Sequence, residues 1–233
     1  MSSEHTSKQF EAELETVRSS VLRMGGLVEE QVANAMEALV AKRTDLAEMV
    51  INKSHQVKAM EVEIDKDCAQ ILARRQPTAG DLRLVMTVIK TINDLERIGD
   101  GAEKIANMSR QIYQAERLSS PRFGEIRLMS SIVLDMLHKS LNAFARLDIG
   151  SVHEVANQDI QVDEAYRSFM RHMVTCMMED PRSISTSIKV LFAAKAIERI
   201  GDHSKNMSEY VVYLVKGKAV RHTTFQEIGL ETV

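Results

Sequence analysis

The sequence predicts an all-α protein, a tandem repeat of two similar three-helix bundles built from six long antiparallel helices. Three observations carry that expectation. Apolar residues recur every three or four positions along nearly the whole chain, the spacing of one helix face. Turn and strand formers are scarce, with three Pro, no Trp and 4% aromatic residues, whereas Met is abundant at 14. The pentapeptide Glu-Arg-Ile-Gly-Asp occurs twice, at 96–100 and at 198–202.

Taken in order, the apolar stripe Leu14, Val17, Val21, Met24, Val28, Val32, Ala35 and Leu39 predicts a first helix over 8–41. Gly25-Gly26 inside it costs about 1 kcal/mol per Gly against Ala, which calls for close helix contact or a bend. Breaks near Arg43–Asp45, at Pro77, at Pro121, near Asp148–Gly150 and at Pro181 separate the remaining patterns. Proline is tolerated in a first helical turn and excluded from helix interiors, so each marks a boundary. The further helices are then 45–75, 80–116, 122–147, 151–178 and 182–216, with a loosely held tail after Gly217.

The halves align with each other. An offset of 102 residues superposes Leu82–Met108 on Ile184–Tyr210, and one of 105 superposes Met24 on Met129, Val32 on Leu137 and Val57 on Val162. The units are therefore 1–119 and 120–217, divided near Ser119-Ser120-Pro121, with 218–233 as a tail.

A net charge of −3 with no basic, aromatic-studded stripe argues against nucleic acid as a partner. "MSSEHTSKQFEAELE" is polar throughout, no apolar run approaches the ~20 residues needed to span a bilayer, and a cytoplasmic location is expected. Cys68 and Cys176 lack CxxC spacing and are expected to be buried, unpaired small hydrophobes.

The repeated pentapeptide holds the candidate chemistry. Glu96 with Asp100, and Glu198 with Asp202, are pairs four apart on one helix face. Gly99 and Gly201 call for a close approach to the backbone beside them. The plainest reading pairs each acid with Arg97 or Arg199, three residues before the Asp, contributing ~0.3–0.5 kcal/mol. The sharper one comes from folding the fifth and sixth helices into a hairpin at Asp180-Pro181. Equal distances from that turn set Asp163 level with Glu198 and Asp159 level with Asp202.

Four carboxylates at one height repel unless a cation joins them, and all-oxygen donors suit hard divalent ions or iron. Iron, Mn, Mg and Ca fit that chemistry, and Zn fits least. The first repeat sets Glu96 and Asp100 against 54–61, where Ser54 matches Asp159, so the second site is expected to be the stronger.

Catalytic signatures are absent. The residues three after Glu96 and Glu198 are glycines, not the His of a di-iron Glu-x-x-His motif; HExxH, a P-loop and GxSxG are missing. His55, His138, His153 and His172 show no ligand spacing, and the methionines are expected to fill gaps between helices. The chain is expected not to be an enzyme. No anion cradle is legible, so direct binding of phosphate is not expected.

The stretches "MGGLVEEQVANAMEAL" (24–39), "RRQPTAGDLRLVMTVIKTINDLERIGDGAEKIA" (74–106) and "MMEDPRSISTSIKVLFAAKAIERIGDHSKNMSEYVVYLVKGKAVRH" (177–222) resemble the PhoU family of bacterial phosphate-signalling proteins. The resemblance covers nearly the whole chain and implies two three-helix bundles with multinuclear sites for iron or other divalent ions on Glu96 and Asp100, and on Glu198 and Asp202. It implies a cytoplasmic negative regulator of the phosphate-starvation response. Such a protein links the ATP-binding subunit of the high-affinity phosphate ABC transporter to the phosphate sensor histidine kinase and restrains uptake when phosphate is plentiful. Homodimers are implied, as is contact with the membrane only through partner complexes. Ser54 departs from an Asp that the family often carries and weakens the first site. A carboxylate-bridged metalloenzyme or metal-storage protein is the alternative.

Overall fold

The computed structural model describes residues 2–75, 77–114 and 124–217, with side chains from residue 8 onward. These residues form α1 (Ser2–Ala41), α2 (Thr44–Arg75), α3 (Ala79–Gln114), α4 (Gly124–Arg146), α5 (Val152–Glu179) and α6 (Ile184–Lys216), with a 3-10 turn at Pro181–Ser183 and no strand among them. Every helix matches one expected from the periodicity; α1 begins earlier than expected, at Ser2. The proposed division at 119–121 and the tail from 218 lie outside the described residues.

Helices α1, α2 and α3 pack together, as do α4, α5 and α6; the most extensive contact is between α3 and α6. Lys104 lies over the Phe192 ring, Asp94 meets His203 and Lys90 lies over Tyr213, so α3 and α6 run antiparallel. One continuous core results: Val21, Met24, Val28, Ile92, Ile98, Met129, Met136, Phe144 and Ile197 are all buried. Burying such side chains contributes about 1.5–3 kcal/mol each, and sharing the core makes the repeats one folding unit.

The repeat is written into the helix ends as well. Lys42 and Leu147, 105 residues apart, both adopt positive φ, 58° and 54°. The next residue's N–H then reaches back to a carbonyl five residues earlier, Arg43 to Ala38 and Asp148 to Ala143. Each satisfies an otherwise orphaned helix-end carbonyl, an arrangement kept although neither residue is Gly. Pro181 opens the α5–α6 turn, where the Asp180 carboxylate accepts from the Arg182 N–H. This turn sets the register between α5 and α6.

Gly25 answers its own question: a Cβ there would stand 2.4 Å from Leu141, so α1 and α4 make close contact, while Gly26 faces open space. Of the cysteines, Cys68 is buried and its thiol is pushed up to about 12, by burial first and then by Asp65 and Asp67. Cys176 departs from the expectation. It is half-buried, on a last stretch of α5 whose positions are mostly exposed.

Candidate functional site

The carboxylates of the second repeat come together as the hairpin register requires. Asp159 and Asp163 stand on α5, and Glu198 and Asp202 on α6. The Asp202 carboxyl is pushed up to about 6, by burial first, then by the charges of Glu198 and Asp159, with Asp163 adding and Lys195 opposing. Asp202 is an exposed residue, so these causes act on a carboxyl that water still reaches. The charges of Glu198, Asp159 and Asp163 thus all act on Asp202 across the α5–α6 pair.

Lysines from α6 flank the cluster. Lys195 Nζ lies 2.5 Å from Glu198 Oε1, and Lys205 Nζ lies 2.7 Å from Asp159 Oδ2; Arg167 reaches Asp163 at 3.3 Å. Their charges offset part of the acidity but leave one atom unsatisfied. Glu198 is 8% exposed, and its Oε2 is buried with no hydrogen-bond partner. An orphaned buried carboxylate oxygen beside Asp202 is the donor chemistry a hard cation takes up. Among the described residues, no group of three or more His, Cys, Asp or Glu is placed so that it could hold a metal ion as it stands.

The first repeat differs. Glu96 and Asp100 lie on one face of α3, but Lys58 of α2 has its Nζ 2.9 Å from Asp100 and 3.9 Å from Glu103. The Glu96 carboxyl is raised, by burial first and then by Asp100, with Arg97 and Lys58 opposing and Glu61 adding. Lys58 supplies a cation from within the protein there, and Asp100 and Glu103 are paired with it. The offset of 105 places Lys58 on Asp163 and Ser54 on Asp159. Lys58 at the position of Asp163 is, beside Ser54, the sequence signal that distinguishes the two sites.

Two local expectations change. Arg97 contacts the adjacent Glu96 at 3.6 Å and forms no ion pair with Asp100, which Lys58 has taken. Gly99 does admit a neighbour closely, since a Cβ there would stand 3.2 Å from Val57 of α2. Gly201 instead faces Val133 and Met136 of α4, at ordinary contact distance. The histidines of the described residues mostly meet polar partners, as His138 does Glu29 at 2.9 Å and His203 does Asp94 at 2.6 Å.

The model of the PhoU domain matches this chain twice, over 21–109 and 126–211. The chain belongs to the PhoU domain family. It is 48% identical over 228 residues to the phosphate-specific transport system accessory protein PhoU homolog of Pseudomonas putida, covering 97% of this chain and 88% of that one. To the phosphate-specific transport system accessory protein PhoU of Escherichia coli K12 it is 43% identical over 224 residues, covering 96% and 92%. The crystal structure of PhoU from Pseudomonas aeruginosa superposes with a TM-score of 0.87 at 46% identity, covering 90% of this chain and all (100%) of that one. The phosphate transport system regulatory protein PhoU from Streptococcus pneumoniae superposes at 0.82 with 31% identity, covering 91% of this chain and 99% of that one. The fold and the family therefore agree across both repeats. No described helix is long and apolar enough to cross a membrane.

Proposed function

We propose that this chain is a cytoplasmic negative regulator of the phosphate-starvation response, acting as an adaptor rather than an enzyme. The observation that supports it most is the match of both repeats, in order, to relatives named as accessory proteins of a phosphate-specific transport system. In this reading, the ATP-binding subunit of the phosphate ABC transporter and the phosphate sensor histidine kinase dock on its helical faces, and the chain assembles as a homodimer. Docking of the transporter biases the kinase away from activating phosphate-scavenging genes and restrains uptake when phosphate is plentiful.

A hard divalent ion or iron belongs to the same reading. Glu198, Asp202, Asp159 and Asp163 would hold it, and it would supply the positive charge that cross-links α5 to α6. The orphaned Glu198 Oε2 supports that assignment. Glu96 and Asp100 are a weaker second site because Lys58 competes there. Lys195 and Lys205 keep the acid cluster tolerable without the ion, which makes occupancy a switchable property rather than a condition of folding.

The test is alkaline phosphatase activity in phosphate-rich medium. Deleting the gene for this chain should raise it strongly, and restoring the native chain should return it to the repressed level. Low activity in the deletion strain would refute the regulatory role. Restoration with Glu198→Gln plus Asp202→Asn asks whether the acid cluster matters for it, and full repression by that variant would remove the metal from the mechanism.

A further inference from the structure

The arginines of the repeated pentapeptide point to a site of their own. Arg97 and Arg199 both line a groove of about 610 Å³ between α3 and α6, together with Lys104, Lys195, Asp100 and Glu103. Its floor is made by a close approach of the two helices, where a Cβ on Gly101 would stand 3.0 Å from Ile200. Because α3 and α6 are antiparallel, each repeat sends its arginine into the same groove. The pentapeptide thus serves two faces: its acids meet α2 or α5, with Asp100 also at the groove, and its arginines lie between the repeats.

The charge balance there is opposite to that of the chain. Four cations face two carboxylates, with Lys195 also paired to Glu198 beside the groove, in a protein whose net charge is −3. Both carboxylates are already engaged by Lys58, from outside the groove lining. Arg97 has a 3.6 Å contact with Glu96, beyond hydrogen-bond range. Arg199 forms no hydrogen bond or ion pair among the described residues. Two guanidinium forks with unused donors match the paired oxygens of a phosphoryl group or carboxylate. One orthophosphate is far smaller than this groove and would not reach cations spread along it. Phe192, 52% exposed, is not part of the lining but lies beneath Lys104, an aromatic edge at one remove.

We propose that the α3–α6 groove binds a polyanion of linked phosphoryl groups, a nucleoside triphosphate or inorganic pyrophosphate, through Arg97, Arg199, Lys104 and Lys195. The site requires no docking partner and shares only Lys195 with the acid cluster, where that lysine pairs with Glu198. Sequence inspection for a glycine-rich anion cradle does not find it, because two helices from different repeats build it.

Isothermal titration of the full chain, without divalent metal, against pyrophosphate, ATP and orthophosphate tests it. Binding of pyrophosphate, ATP or both, weakened by added salt, is expected, with orthophosphate binding weakly or not at all. Arg97→Gln and Arg199→Gln should each lower affinity roughly tenfold, as loss of a charged hydrogen-bonding partner does. Arg171→Gln, an equal charge change on α5, should leave it intact, and circular dichroism of each variant checks that the helices persist. Equal affinity for pyrophosphate and ATP assigns recognition to the phosphates alone. Tighter ATP binding that Phe192→Ala abolishes adds stacking on the aromatic edge. Failure of both compounds to bind at millimolar concentration would overturn the proposal. So would affinity indifferent to both arginines, orthophosphate binding as tightly as pyrophosphate, or binding of a glutamate-rich peptide alone.

Discussion

The two copies of one pentapeptide meet different company. In the second repeat, Glu198 and Asp202 face Asp159 and Asp163 from α5, and the Asp202 carboxyl is pushed up to about 6 by burial first, then by Glu198, Asp159 and Asp163. In the first, the matching α2 positions are Ser54 and Lys58, and Lys58 lies 2.9 Å from Asp100. The same phrase on the same face of the same kind of helix thus becomes an acid cluster in one half and an ion pair in the other. What decides its chemistry is the facing helix, because a carboxylate's behaviour depends on the charges within a few ångströms of it.

The comparison breaks most clearly on cation binding. Titration of Mn2+ at neutral pH should show Glu198→Gln plus Asp202→Asn weakening the stronger site roughly 100-fold, since fewer anionic donors bind hard cations more weakly. Glu96→Gln plus Asp100→Asn should change it little. Equal losses from both pairs would mean the repeats are equivalent after all.

Recasting the first site in the image of the second is the next test. Ser54→Asp with Lys58→Asp removes the built-in cation and restores the acids, so a second equivalent of Mn2+ should bind with affinity within about tenfold of the first. Unchanged stoichiometry would show that positions 54 and 58 do not govern the difference.

Protons should compete with the ion. Asp202 ionises at about 6 in the folded chain, so Mn2+ affinity at the second site should fall roughly tenfold between pH 7 and pH 5. Stability carries the opposite sense. The unfolded Asp202 ionises near its ordinary value of 3.8 and the folded one at about 6. Between those values the folded state holds the extra proton, so this group's contribution declines as pH rises from about 4 to about 6 and is level above that. Without metal, Asp202→Asn should therefore raise Tm by about 1–2 °C at pH 8 and change it little at pH 4, the exposed edge keeping the effect small. Thermal melts at the two pH values check it.

The smallest effect belongs to Lys58. Its ion pair with Asp100 is half-exposed, with side chains 51% and 38% accessible. Lys58→Met should cost about 0.5 kcal/mol in urea unfolding at low salt and less at high salt. A loss several times larger would mean that the first cluster depends on this cation as strongly as a metal site depends on its ion.

Much of this molecule was legible before any coordinates. The stripe from Leu14 to Leu39 placed α1, Pro77 and Pro181 placed turns, and the offsets of 102 and 105 exposed the repeat. These readings succeed because helix periodicity and proline exclusion act within a few residues. The register of α5 on α6 was also within reach, since a short turn at Asp180-Pro181 leaves little choice of alignment. The pairing of Arg97 with Asp100 failed, because a lysine from another helix competed for the same carboxylate.

The sequence by itself determined the six helices, their grouping by repeat and the two acidic faces, all consequences of local spacing and short connections. Tertiary structure alone decided that α3 and α6 pack antiparallel along a shared core, that Lys195 and Lys205 flank the second acid cluster, and that Arg97 and Arg199 share one groove. Those outcomes depend on contacts between residues about a hundred positions apart, and burial and charge act through space without regard to that distance along the chain.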